Sequence, residues 1–211
     1  GVPVGHVTRR PAAPSAEQVV APQGQPPRER VAPDRRAHRL AAPNDPLYPS
    51  GLGGNGPAAG QWYLRAPAGD VKSSIDVESA WALSTGSAAV PVAVIDTGVR
   101  FEHPDLRAAA VGGKLLPGYD MIGDPDVSND GDGRDSDASD PGDWIDATDV
   151  TKPIFSKCQQ EPSSWHGTRV SGIIGALTNN AQGVAGLDWN AWLLPVRVLG
   201  KCGGYDSDII A

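Results

Sequence analysis

Ser164-Trp165-His166-Gly167-Thr168-Arg169-Val170-Ser171-Gly172-Ile173-Ile174-Gly175-Ala176-Leu177 is the stretch around which the chain is read. Val170, Ile173, Ile174 and Leu177 fall at i, i+3, i+4 and i+7, the spacing of one helix face. The pattern predicts a helix from His166 to Leu177, its apolar face inward. His166 then stands at the helix start, where an imidazole either caps and packs or serves as a base. A base needs an orienting group and a nucleophile from elsewhere in the chain.

An apolar, β-branched run lies on either side. Val90-Pro91-Val92-Ala93-Val94-Ile95 closes on Asp96-Thr97-Gly98, and Ala191-Trp192-Leu193-Leu194-Pro195-Val196-Arg197-Val198-Leu199 comes after the helix. Runs of this kind form strands buried on both faces of a parallel sheet. Pro195 weighs against a regular central strand. Strand, helix and strand in that order make an α/β fold. Before them, residues 75–83 suit a short helix capped by Ser74, with Glu78 in its first turn and Gly86 ending it. The excursion from Gly112 to Pro162 has no period and is expected to be surface loop.

Charge is unevenly spread over the 211 residues, whose net value is −7. Residues 1–40 hold seven Arg against three acids, and residues 120–149 hold eleven Asp against one Arg. The acidic balance argues against nucleic acid as a partner. No run of 18 apolar residues occurs, so no membrane span is expected. Eight prolines fall within residues 1–43, without apolar period, which reads as an extended or disordered arm. The basic segment 35–40 is either a processing site or a solvated linker. The chain is expected to be a fragment, open at both ends.

Asp96 ends an apolar strand, so its carboxylate emerges at the sheet's carboxyl edge, where sites gather in α/β folds. Three readings stand: a turn cap, an orienter of a histidine, or one member of an aspartic pair. In combination, Val94-Ile95-Asp96-Thr97-Gly98-Val99 with His103-Pro104-Asp105-Leu106 resembles the aspartate motif of the subtilisin-like serine proteases. His166-Gly167-Thr168-Arg169-Val170-Ser171-Gly172 resembles their histidine motif. Val184-Ala185-Gly186 and Pro195-Val196-Arg197-Val198-Leu199 resemble the family's segments C-terminal to that motif. Arg169 departs from the commoner second histidine. The resemblance covers about residues 44–211 and is nearest to secreted bacterial members with an Asp-rich insertion.

That resemblance implies a three-layer α/β fold, a mainly parallel sheet flanked by helices. It implies a serine endopeptidase in which Asp96 orients His166 and His166 is the general base. The serine motif does not occur within these 211 residues, so this stretch alone is expected to be inactive. Residues 1–43 become a prodomain remnant and linker, and residues 44–211 the N-terminal part of the catalytic domain. Expected partners are protein or peptide substrates and the chain's own prodomain, with no nucleic acid and no membrane. A secreted monomer is expected.

Two calcium sites are candidates. Asp130, Asp132 and Asp135 alternate on a glycine-permitted turn, as oxygen ligands of Ca²⁺ can, although a solvated acidic loop gives the same pattern. By resemblance, Asp105 and Asn180, with Asp45 or Gln61, match the family's common site. Cys158 and Cys202 are either a disulfide or two buried thiols. Secretion favours the disulfide, which would close a loop of about 44 residues and stabilise by roughly 4 kcal/mol.

Three other functions are set against this one. An aspartic protease would use Asp96 with a second Asp-Gly partner. A metallohydrolase would use Asp96, His103 and His166. A non-catalytic secreted module would use only the calcium loops.

Overall fold

The two apolar runs become neighbouring strands because each carries apolar residues on both sides of the pleat. The computed structural model describes residues 42–48, 60–69 and 71–211, all within the compact unit Arg39–Ala211. The basic segment 35–40 and nearly all of the arm 1–43 lie outside the described residues. Strands β1 (Val92–Asp96), β2 (Tyr119–Asp120) and β3 (Leu193–Arg197) form a parallel sheet in the order β1-β3-β2. On the β2 side, Leu115 bridges Leu193 and β2 joins Val196 and Arg197, so Pro195, which has no N–H to give, falls in the gap between the two contacts. The helices are α1 (Val77–Trp81), α2 (Pro125–Ser128), α3 (His166–Gly175) and α4 (Asp206–Ile209).

The sheet has two unlike faces. Register pairs Val92 with Leu193, Val94 with Pro195 and Asp96 with Arg197, and all but Val92 of these six are buried. α3 lies on this face. On the other, Ile95 is 57% exposed and Leu194 and Val196 are half-buried. The described residues thus form the sheet and one covering layer of the expected three.

α3 does not bury the face that the periodicity picked out. Its buried residues are Gly167, Thr168, Ser171 and Gly175, whereas Val170 and Ile174 are half-buried and Ile173 is 49% exposed. The cause is close approach. A Cβ on Gly167 would lie 2.1 Å from the Gly98 carbonyl oxygen, and one on Gly175 would lie 3.1 Å from Leu193. Only small side chains fit between helix and sheet, so the larger apolar residues flank the seam. Ile174 still reaches the cluster of Val99, Leu106, Leu115 and Leu193.

α1 is shorter than expected and Ser74 does not cap it. Asp76 occupies the N-cap in a left-handed conformation without a side-chain cap bond, and the Ser74 hydroxyl is buried without a hydrogen-bond partner. Packing holds the helix instead. Val77 and Trp81 join Tyr48, Leu64 and Ala185 in one cluster, and Trp81 Nε1 donates to the Leu187 carbonyl at 2.8 Å.

The acidic excursion is not simply surface loop. It supplies β2, and it buries Asp120, Asp140 and Asp149. Ile122, Val127, Ile145 and Phe155 form a small core of its own. Buried cations accompany two of these three carboxylates. Arg197 donates to Asp120 and Asp130, and Lys201 donates to Asp149 at 2.6 Å. Cys158 and Cys202 are joined in a disulfide, Cα to Cα 6.0 Å, which ties the end of the excursion to the loop after β3.

Candidate active site

β1 delivers Asp96 at its carboxyl end, and the left-handed turn at Trp165 (φ 51°) starts α3 beside it. Gly167 allows the helix to lie against Gly98. The result places His166 Nδ1 2.8 Å and 2.9 Å from the two Asp96 carboxylate oxygens. An ionised carboxylate only accepts, so the proton sits on Nδ1 and the lone pair on Nε2. Asp96 also accepts the Thr97 N–H at 2.7 Å. The aspartate side chain is 10% exposed and the histidine 60%. A buried anchor thus holds an imidazole whose far edge meets solvent.

The backbone around His166 is held from outside the helix. Gly167 N–H donates to Thr97 Oγ1 at 3.0 Å, and Thr97 Oγ1 donates to Asp140 Oδ2 at 2.8 Å. His166 N–H donates to Ser164 Oγ at 3.2 Å, and Ser164 Oγ donates to Asp143 Oδ2 at 2.7 Å. Asp140 also accepts the Gly142 N–H, and Asp143 the Ser164 N–H. Burial pushes the Asp140 carboxyl up, with the Asp143 charge adding to it, against the hydrogen bonds from Thr97 and Gly142.

Arg197, the sheet partner of Asp96, points away from it. Its Nε donates to the Thr97 carbonyl at 3.3 Å, and its two terminal nitrogens reach Asp120, Asp130 and the Ser128 carbonyl. Burial pushes Asp120 up to about 6 despite this guanidinium. Burial opposes the Asp130 charge as well, but Ser128, the Asp132 N–H and Arg197 together hold that carboxyl below its usual range.

An open cleft of about 450 Å³ runs along the start of α3, with Arg100, His103, Trp165 and Arg169 among its walls. The Arg100 guanidinium stacks over Trp165 at 4.9 Å and pairs with Glu102. His103 does not join Asp96 and His166. Its Nδ1 accepts the Asp105 N–H at 3.2 Å, so the metallohydrolase triad is not assembled. Asp96 faces an imidazole, not the second carboxyl that an aspartic dyad requires.

The candidate calcium ligands fare differently. Asp130, Asp132 and Asp135 do not converge. Asp130 turns to Arg197 and Ser128, Asp135 accepts the Asp137 N–H, and Asp132 is exposed. Two of the three carboxylates are spent on a local turn or on the arginine, and the loop wraps no central point. Asp45 and Asp105 are both fully buried against the 179–184 loop. Asp45 accepts N–H groups of Asn179 and Asn180, while Asp105 accepts the Asn180 side-chain amide and the Val184 N–H, each at 2.8 Å. Burial, with the Asp45 charge adding to it, pushes the Asp105 carboxyl up. No Lys or Arg among the described residues pairs with either. Gln61 is engaged with the Ala185 backbone through both ends of its amide. No three His, Cys, Asp or Glu side chains among the described residues form a ligand cluster.

Comparison with known proteins meets this geometry. The subtilase family description matches residues 87–211. The chain belongs to the subtilase family. An extracellular basic protease of Dichelobacter nodosus is 41% identical over 181 residues, 86% of this chain and 26% of that protein. An extracellular protease of Xanthomonas campestris is 42% identical over 179 residues, 85% of this chain and 27% of that protein. A solved protease structure from Pseudoalteromonas arctica superposes with a TM-score of 0.62 at 46% identity, over 80% of this chain and 42% of that one. This subtilase chain therefore spans about a quarter of the length of these curated relatives. The α/β fold with a parallel sheet agrees with that neighbour.

Sequence reading missed Thr97, Asp140, Asp143 and Ser164 as neighbours of this subtilase site. Asp140-Pro141-Gly142-Asp143 carried a turn signal within the acidic run, but nothing in it pointed to α3. Arg197 appeared only as part of a strand motif.

Proposed function

We propose that the chain forms the Asp–His half of an extracellular serine endopeptidase acting on protein or peptide substrates. The observation that carries this reading is the short contact from His166 Nδ1 to Asp96 in a member of this family. Asp96 holds the tautomer and stabilises the imidazolium. His166 Nε2 takes the proton of a serine supplied from outside these 211 residues as its oxygen attacks the scissile carbonyl. It then gives that proton to the leaving amine. Extracellular relatives support secretion, and so does a disulfide between Cys158 and Cys202. No helix among the described residues is long and apolar enough to cross a membrane. Residues 1–43 fit the role of a prodomain remnant.

Calcium belongs to the same reading. Asp45, Asp105 and Asn180 offer hard oxygen donors, and two buried carboxylates that pair with no cation among the described residues fit a divalent ion. Bound there, Ca²⁺ would neutralise them and tie the 179–184 loop to the segment before α1. The test of the catalytic reading is reaction of the full-length protein with a serine-directed phosphonate, against its response to a pepstatin-like peptide. Phosphonate labelling that requires His166 supports the proposal, and pepstatin-like inhibition without labelling refutes it.

A further inference from the structure

A helix leaves its first N–H groups without partners inside the helix, and a side-chain cap normally takes one of them. α3 has no such cap, because its N-cap residue is Trp165. Two of those donors are met instead by relays of the same form. His166 N–H reaches Ser164 Oγ, which reaches Asp143. Gly167 N–H reaches Thr97 Oγ1, which reaches Asp140. In each relay an amide donates to a hydroxyl and the hydroxyl donates to a carboxylate.

The direction of the relays matters. Each hydroxyl accepts from the helix through a lone pair and donates its own proton to a carboxylate. A carboxylate only accepts, so it fixes the direction. The two negative charges also lie at the end of α3 where the helix dipole favours them. Thr97 directly follows Asp96, so one relay joins the orienting strand to the residue after His166. The other grips His166's own amide. Together they set where the imidazole leaves the helix relative to the Asp96 carboxylate.

We infer that Asp140 and Asp143, at the end of the acidic insertion, are positioning residues for His166 and act through Thr97 and Ser164. This rests on His166 being the general base. Neither aspartate touches substrate, so the effect falls on turnover more than on binding. A displacement of about 1 Å at a reacting group costs up to roughly 10²-fold in rate.

The test uses steady-state kinetics of the full-length protease on a peptide substrate, with folding checked by circular dichroism. Thr97→Val and Ser164→Ala each break one relay. Thr97→Ser and Ser164→Thr keep the hydroxyl. The first pair is expected to lose about 10- to 100-fold in kcat with KM within about twofold, and the second pair to retain most of it. Asp143→Asn, which offers a donor where an acceptor is required, is expected to follow Ser164→Ala. Wild-type kcat in Thr97→Val and Ser164→Ala overturns the inference. Equal losses in the hydroxyl-keeping variants overturn it too. Asp96→Asn run in parallel separates the two claims. If it abolishes turnover while the relay variants do not, the base stands and the positioning role falls. If Asp96→Asn turns over like wild type, the reading of the base falls and takes the positioning role with it.

Discussion

Around β3, the buried carboxylates Asp120 and Asp149 are matched by protein cations; among the described residues, those around the 179–184 loop are not. Asp120 and Asp130 share Arg197, and Asp149 has Lys201. Among the described residues, Asp45 and Asp105 have only N–H donors. Amides and side-chain donors satisfy lone pairs but leave the net charge in place. The acidic run, which looked the richer metal site, carries protein cations at Asp120, Asp130 and Asp149, while its buried Asp140 is held by hydrogen bonds from Thr97 and Gly142. The sparser pair has the stronger need of an external ion. Carboxylate density along the sequence is therefore a poor guide to cation demand, and the balance of buried charge is a better one.

The largest effect expected from breaking this contrast is at Arg197. Arg197→Leu leaves Asp120 fully buried without its cation, and a broken buried pair costs about 3–5 kcal/mol. Urea unfolding should show that loss, and added calcium should not restore it. Replacing Asp120 by leucine as well should recover part of it, because the stranded charge is gone.

Calcium removal comes next. Chelation should lower the melting temperature of the wild-type protein, and calcium at about a hundred times its Kd should restore about 2.7 kcal/mol. Asp105→Asn should abolish that response, whereas Asp132→Asn should leave it intact. An equal loss in both variants would erase the contrast.

The smallest effect is a pair of opposed pH trends. The hydrogen bond from Lys201 holds Asp149 below the usual carboxylate range. Its contribution is present above the unfolded value and is lost as pH falls through the folded one. Burial holds Asp105 above the usual range. Without calcium, its contribution is full below the unfolded value and is lost as pH rises through the folded one. Urea midpoints measured in chelator between about pH 3 and 7 should show Lys201→Met weakening the first trend. Asp105→Asn should remove the second.

Local pattern carried much of the fold. β-branched runs marked β1 and β3, and Asp96 and His166 were legible from the turn and helix that come directly after them. The inward face of α3 was not, because Gly167 and Gly175 are selected by distance to the sheet rather than by hydrophobicity. β2 was hidden because two residues, Tyr119 and Asp120, are too short a run to show a period. The relays were hidden because Asp140 and Asp143 lie more than twenty residues before His166, and only the folded path of the insertion brings them to it. Cys158 and Cys202 were countable, and the disulfide that secretion favoured between them is formed.

The most direct measurement is the rate at which a serine-directed phosphonate labels the full-length protein, compared between wild type and Asp96→Asn at neutral pH. An orienting role for Asp96 predicts labelling of a serine outside these 211 residues, slowed by about 10⁴-fold in the variant. Equal labelling rates, or a wild-type protein that cleaves peptides yet never labels, would contradict the assignment of Asp96 and His166 as orienter and base.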